Sequence, residues 1–156
     1  MNVLVTGAAG FIGSHLVQRL VRDGHDVTGF DNFATGYQRN LDRIEGEFEF
    51  IEGDLRDEDA VRRAVQGAEL VYHQGALASV PRSIADPQTT FAVNVTGTLN
   101  LLVAARDAGV RRLVFASSSS VYGDSPVSPK HEGLTPNPLS PYAVSKLSAE
   151  QLCTVF

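Results

Sequence analysis

The sequence has one cysteine, Cys153, no tryptophan and no long apolar run. A single cysteine excludes an internal disulfide framework, so we expect a reducing compartment, the cytoplasm. No stretch approaches the roughly 18 apolar residues of a membrane-spanning helix, and we expect neither a membrane partner nor a secretory signal. The 13 basic residues are dispersed among 18 acidic ones, and this disfavours nucleic acid as a partner.

Length and composition are those of a globular domain. The chain has 156 residues, of which 43% are hydrophobic and 20% charged, so it is long enough to bury a core as one domain. The four histidines show no ligand spacing with Asp, Glu or cysteine. We therefore predict no metal site.

Three glycines separate an apolar run, Val3–Val5, from a segment with helical periodicity. They are Gly7, Gly10 and Gly13. A strand, a glycine turn and a helix form the context of a dinucleotide-binding motif. The first glycine would make the turn, the second would let a pyrophosphate approach, and the third would let the helix pack closely. Free N–H groups at Phe11 and Ile12 would face the phosphates. The alternative is a glycine-rich turn without a ligand.

A short second strand, 26–30, ends at Asp31. In such folds an acid at this point binds the adenosine ribose, and its charge favours NAD over NADP. The structural alternative is a turn aspartate, because Asp31 and Asn32 are also good turn residues. The loop that continues to Gly36 would pass over phosphate and ribose.

Alternating charged and apolar residues predict a third strand over 47–51. Asp54 follows it, where this fold class places a carboxylate near the adenine amino group, with Leu55 against the ring. A helix cap is the alternative role for Asp54. Asp57 suits that role better, because it opens a predicted helix that runs to about Gln66.

A fourth strand is predicted over 70–73, followed by small residues that suit backbone close to a dinucleotide. These residues are Gln74, Gly75 and Ala76. Residues 79–83 are predicted to be a loop in which Arg82 could meet a phosphate. An exposed arginine is the alternative.

The remaining pattern predicts a long helix over 87–108, which contains Asn94 between apolar neighbours. A fifth strand over 112–116 and a proline-rich loop over 126–141 follow it, and Pro141 suits the first turn of a last helix. Strands alternating with helices predict an α/β fold with a doubly wound parallel sheet.

The last helix carries Tyr142 and Lys146, four residues apart on one helical face. A phenol is a poor base at neutral pH, but a nearby ammonium favours the phenolate. A phenolate could take a proton from a sugar hydroxyl while hydride leaves the same carbon. A serine from the run 117–120, at the end of the fifth strand, could hold that hydroxyl.

These motifs, in this order, resemble the extended short-chain dehydrogenases/reductases, within the NAD-dependent epimerase/dehydratase family. The matching segments are 6–13, Asp31–Asn32, Gly53–Leu55, Asn94, the serines with Val121–Gly123, and Tyr142 with Lys146. The resemblance implies a Rossmann-like, NAD-binding domain over 1–156. It also implies that Ser118, Tyr142 and Lys146 are catalytic and that Asn94, Tyr142 and Lys146 contact the cofactor.

Within the family, the segments 79–83 and 140–146 are similar to bacterial UDP-sugar 4-epimerases that act on UDP-glucose and UDP-N-acetylglucosamine. This similarity implies a UDP-sugar substrate. The implied substrate-binding residues are Ser79, Val80, Arg82, Ser118, Ser119, Ser120 and Tyr142.

Three features distinguish this chain among members of the family. Ser119–Ser120 stands where 4,6-dehydratases carry an Asp-Glu pair, so dehydration is disfavoured and redox chemistry at one carbon remains. Gly75–Ala76 replaces a common Ala-Ala pair. The family's C-terminal lobe, which holds the UDP, has no counterpart, so the chain is interpreted as the cofactor-binding part of a longer protein.

Three functional hypotheses follow. The first is a UDP-sugar 4-epimerase, with UDP-glucuronate as an open alternative substrate because those enzymes can carry the same serines. The second is a net nucleotide-sugar oxidoreductase, and the third is a non-catalytic NAD-binding module. The family also implies a homodimer through the helix 87–108 and the last helix.

Overall fold

The computed structural model describes residues 1–156 and confirms the predicted doubly wound α/β fold. Its single sheet has five parallel strands in the order β3-β2-β1-β4-β5. The strands are β1 (Asn2–Thr6), β2 (Asp26–Asp31), β3 (Glu49–Glu52), β4 (Leu70–His73) and β5 (Arg112–Phe115). The strands β2 and β3 are added on one side of β1, and β4 and β5 are added on the other side, so the strand order reverses between β1 and β4. In open α/β sheets, ligands bind in the crevice at such a point.

Helices cover both faces of this sheet. They are α1 (Phe11–Arg22), α2 (Gln38–Leu41), α3 (Glu58–Val65), α4 (Val80–Ala85), α5 (Pro87–Phe91), α6 (Gly97–Asp107) and α7 (Pro141–Val155). A π-helical turn, Ala92–Thr96, joins α5 to α6, and a 3-10 turn covers Ser119–Tyr122. None of the helices combines the length and the apolar composition that a membrane crossing requires.

The core is split by the sheet into two apolar layers, because side chains alternate between faces along a strand. Val3 and Val5 of β1 point to the layer that α1 and α2 cover. Leu4, between them, points to the layer beneath α3 and α6. This alternation fixes the register of β1, since a shift by one residue would exchange the two layers.

Two local predictions are wrong. Residues 80–85 form the helix α4 instead of a loop, because the Ser79 side chain accepts a hydrogen bond from the Arg82 N–H and Pro81 occupies the first turn. The third strand begins at Glu49, two residues later than predicted, where its pairing with Thr28 of β2 starts. The predicted long helix over 87–108 is present, interrupted by the π-helical turn around Asn94.

Candidate active site and cofactor cleft

A cleft of about 280 Å³ opens at the carboxyl ends of the strands. It collects ten of the residues that the sequence assigns to cofactor or substrate. They are Gly7, Gly10, Asp31, Asn32, Asp54, Leu55, Gln74, Gly75, Ala76 and Arg82. Segments that are far apart in the sequence therefore meet at one edge of the sheet.

The glycine turn has the geometry that its spacing predicts. Gly7 has a φ of +71°, and a Cβ there would lie 2.7 Å from the Gly75 nitrogen. A Cβ at Gly13 would overlap the Gly7 carbonyl oxygen. Gly10 is different, because its Cβ would meet only that oxygen, at 3.1 Å, with open space elsewhere. Gly7 and Gly13 are therefore required by internal packing, whereas Gly10 leaves room on the cleft side.

Helix α1 begins at this turn without a side-chain cap, so its first N–H groups are available to a ligand. Phe11 and Ile12 supply two of these groups, and these residues are 77% and 64% exposed. An uncapped helix start is suited to phosphate, because its free N–H groups and its dipole both favour negative charge.

Asp31 holds the loop after β2 against the glycine turn. Its carboxylate accepts hydrogen bonds from the Ala9 N–H at 2.9 Å and from the Phe33 N–H at 2.8 Å. One bond to each oxygen leaves acceptor positions free for a ribose hydroxyl. Gly36 does not line the cleft; a Cβ there would lie 2.7 Å from the Ala9 Cβ, so it packs against the glycine turn.

Asp54 is bound by an arginine that sequence reasoning missed. Arg56 donates from its backbone N–H, Nε and Nη2 at 2.7 to 2.9 Å, and Asn32 Nδ2 donates at 2.8 Å. These bonds, with that from the Arg56 side chain the largest influence, lower the pKa of Asp54 to about 2. The helix-capping role belongs to Asp57, whose side chain accepts from the Asp59 and Ala60 N–H groups.

A buried histidine supports the wall formed by Gln74, Gly75 and Ala76. Thr98 Oγ1 donates its only proton to the Asn94 carbonyl at 2.7 Å. The same oxygen lies 2.9 Å from His73 Nε2 and can only accept there, so Nε2 carries a proton. His73 Nδ1 then accepts from the Thr6 hydroxyl at 2.6 Å, and Thr6 in turn accepts from the Gly75 N–H. This chain defines a neutral imidazole with its proton on Nε2. Complete burial, followed by the charge of Lys146, lowers the pKa of His73 to about 3.

Asn94 connects the cleft wall to the last helix. Its amide accepts from the Leu77 N–H at 2.8 Å and donates to the Leu77 carbonyl at 3.3 Å and to Ser145 Oγ at 3.0 Å. Leu77 lines the cleft, whereas Asn94 is 2% exposed and does not. The structure thus places Asn94 behind the wall of the cleft.

Helix α7 carries Tyr142 and Lys146, which do not line the cleft but lie on the helix that Asn94 joins to the cleft wall through Ser145. Ser140 caps it, and the Tyr142 N–H donates to Ser83 Oγ of α4 at 3.0 Å. Tyr142 is half-buried, and Lys146 is only 4% exposed. Burial lowers the pKa of Lys146 to about 8. Its Nζ lies 4.1 Å from the centre of the Phe115 ring.

The serine run forms a turn that is anchored to α7. Ser118 Oγ lies 2.8 Å from Ser120 Oγ and accepts from the Ser120 N–H, so it caps the 3-10 turn that begins at Ser119. Ser117 Oγ donates to Glu150 of α7 at 2.6 Å.

Val80 and Arg82 of α4 are exposed, and only Arg82 reaches the cleft. No three His, Cys, Asp or Glu side chains come together as a metal site.

Comparison with known proteins agrees with this geometry. The model of one protein family, described as the NAD dependent epimerase/dehydratase family, matches residues 3–156. The chain belongs to the NAD-dependent epimerase/dehydratase family. A curated member, the UDP-glucose 4-epimerase of Mycolicibacterium smegmatis, is 47% identical over 154 residues, which is 96% of this chain and 49% of that protein.

Solved structures of epimerase/dehydratase family members share the fold closely. The UDP-glucose 4-epimerase of Thermus thermophilus, solved in complex with NAD, has a TM-score of 0.91 at 45% identity. The UDP-N-acetylglucosamine 4-epimerase of Methanobrevibacter ruminantium, solved with UDP-N-acetylmuramic acid, has a TM-score of 0.92 at 39% identity. Each match covers 99% of this chain and 50% of the other. The chain therefore spans about half the length of the relatives it matches.

Proposed function

We propose that the whole protein is a nucleotide-sugar 4-epimerase that uses tightly bound NAD, with UDP-glucose and UDP-galactose or their N-acetyl forms as substrates. Residues 1–156 would be its cofactor-binding lobe. The family, the relatives that carry these activities and the arrangement of the cleft support this proposal.

The cleft suits the pyrophosphate and the adenosine half of NAD. Open space at Gly10 and the uncapped start of α1 suit a pyrophosphate. Asp31 retains acceptor positions for the adenosine ribose, and its negative charge opposes a 2′-phosphate. Leu55 and the backbone of Gln74 to Ala76 would line the remaining length of the cofactor.

Three residues would perform the proton chemistry. Tyr142, as the phenolate, takes the proton of the sugar 4-hydroxyl, and Ser118 holds that hydroxyl through its own hydroxyl group. Lys146 supports the phenolate through its positive charge. NAD, held at the glycine turn and by Asp31, would supply reversible hydride transfer at C4 of the sugar. Tyr142 then returns its proton to the oxygen, so no net oxidation occurs.

The observation that carries this proposal is the amide of Asn94. It hydrogen-bonds both to Leu77 in the cleft wall and to Ser145, which lies between Tyr142 and Lys146 on α7. The helix with the acid–base groups is therefore attached directly to the wall of the cofactor cleft. Such attachment is what positions catalytic groups against a bound cofactor.

The test is Tyr142→Phe in the full-length protein, with the conversion of UDP-galactose to UDP-glucose as the assay. Loss of a general base typically costs about 100-fold or more in rate, and NAD binding should be retained. Tyr37→Phe, at a tyrosine that is 56% exposed, is the matched control. Undiminished conversion by Tyr142→Phe would reject the proposal.

Three further measurements on the full-length protein separate the alternatives. Stoichiometric accumulation of reduced nicotinamide with a UDP-sugar would favour a net oxidoreductase. NAD binding with no turnover of any UDP-sugar would favour a binding module. Turnover of UDP-glucuronate alone would favour a UDP-glucuronate 4-epimerase.

A homodimer through the helical stretch 87–107 and α7 is also proposed. Its support is apolar side chains that are exposed on these helices: Phe91 at 36% and Val144 at 38%. Sedimentation of the full-length protein should give a dimer, and Val144→Asp should weaken it. A monomer at all concentrations would contradict this proposal.

A further inference from the structure

Lys146 has an unusual environment for a cation that must stay charged. It is 4% exposed, and none of the ion pairs in the structure includes it. Burial of an unpaired ammonium is unfavourable in free energy, and it lowers the pKa of the lysine so that the proton is lost more readily. A contact that favours the ammonium would therefore keep more of Lys146 charged near and above neutral pH.

No ion pair supplies that compensation. Along α7, the Cys153 thiol has a pKa raised by burial and is neutral near pH 7. Glu150 is bound to Ser117, and Tyr142 lies one turn before Lys146. From β4, His73 faces this region as the neutral imidazole that the two threonines define.

The contact that the structure shows at the ammonium is the face of Phe115. The Nζ of Lys146 lies 4.1 Å from the ring centre, within the range of a cation–π interaction. Phe115 is the last residue of β5 and pairs with His73 of β4 in the sheet. The two rings contact each other, with centroids 5.6 Å apart. Phe115 is thus fixed by strand pairing on its backbone and by a buried, uncharged neighbour on its side chain.

We propose that Phe115 is a positioning residue for the epimerisation reaction: its ring face holds the Lys146 ammonium in place and keeps it charged, one helical turn from Tyr142. The proposal rests on the proposed function for the role of Lys146 in catalysis. The contact between ring and ammonium can be tested without any substrate.

The experiment is titration of Lys146 by NMR in NAD-free, full-length protein that carries lysine labelled with carbon-13 at Cε. The resonance that disappears in Lys146→Arg identifies Lys146. Replacing the ring in Phe115→Leu should lower the pKa of Lys146 by about half a unit to one unit, which is the size of a partly desolvated cation–π contact. Phe115→Tyr retains a ring and should restore the parent value.

Phe50→Leu is the matched control, because Phe50 is a half-buried strand residue that packs on Phe33 instead. It should leave the pKa of Lys146 unchanged. If Phe115→Leu does not fold, Phe115→Met offers a second ring-free variant with a more flexible side chain. An unchanged pKa in the ring-free variants, or an equal shift in Phe50→Leu, would overturn the proposal.

Activity then provides a separate readout. In the parent, loss of the Lys146 proton should produce a falling alkaline limb in the pH profile of epimerisation. In Phe115→Leu this limb should move to lower pH by the same amount as the NMR titration. A shifted titration without any epimerase activity in the parent would support the Phe115 contact and reject the proposed function.

Discussion

His73 Nε2 lies 2.9 Å from Thr98 Oγ1, and both side chains are almost completely excluded from solvent. Thr98→Val keeps the shape of the side chain but leaves the Nε2–H without an acceptor. A buried donor without a partner costs about 1 to 3 kcal/mol, so this variant should lower the free energy of unfolding by that amount. Urea denaturation measures it.

Thr90→Val is a close control for that prediction. Thr90 is also buried, and its hydroxyl donates to the Asp86 carbonyl four residues earlier, as the Thr98 hydroxyl donates to Asn94. Only Thr98 accepts a bond from His73 in addition. Equal destabilisation by the two variants would show that the contact with the imidazole contributes nothing.

The glycines of the turn should separate folding from cofactor binding. Gly13→Ala places a Cβ on the Gly7 carbonyl and should prevent or severely destabilise folding. Gly10→Ala meets only that oxygen, at 3.1 Å, and should fold while its methyl group occupies the space for the pyrophosphate. Circular dichroism measures folding, and calorimetry with NAD measures binding. Unchanged NAD affinity in Gly10→Ala would place the pyrophosphate elsewhere.

Much of the fold was predictable because its signals are local. The spacing of three glycines, the position of Asp31 at the end of β2 and the four-residue interval between Tyr142 and Lys146 each lie within a short stretch of the chain. The start of α4 was also signalled, since a capping serine at 79 and a proline at 81 are typical of a helix start.

The supporting contacts were not predictable, because they join residues that are distant in sequence. Thr98 and His73 are 25 residues apart, and Asn94 and Ser145 are 51 apart. Nothing in the neighbourhood of Phe115 indicates that its ring will meet a lysine from the last helix. Arg56 is two residues from Asp54, but its side chain could equally have extended into solvent.

The carboxyl of Asp54 should titrate at unusually low pH because of Arg56. The hydrogen bonds from Arg56 and Asn32 lower its pKa to about 2, from an ordinary 3.8. Arg56→Gln removes the charge and the paired guanidinium donors, so the pKa of Asp54 should rise toward its ordinary value. Carbon-detected NMR of labelled aspartate measures it. Arg62→Gln, at an exposed arginine paired with Glu58 and Asp59, should leave Asp54 unchanged.

Stability should also depend on pH through Lys146. Its pKa falls from 10.5 in the unfolded chain to about 8 in the folded one. Between these values the unfolded chain binds more protons, so the free energy of unfolding should rise with pH through this window. The rise due to Lys146 should be on the order of 3 kcal/mol.

Comparison with Lys146→Met isolates this contribution from other groups that titrate in the same range, such as Cys153. The variant has no proton to lose, so the parent should gain stability relative to it between pH 8 and 10.5. Lys130→Met is the control, because Lys130 is exposed and is the only other lysine in these 156 residues. The difference in free energy of unfolding between Lys130→Met and the parent should stay constant between pH 8 and 10.5. Parallel curves for the parent and Lys146→Met would mean that Lys146 titrates in the folded protein as it does in the unfolded chain.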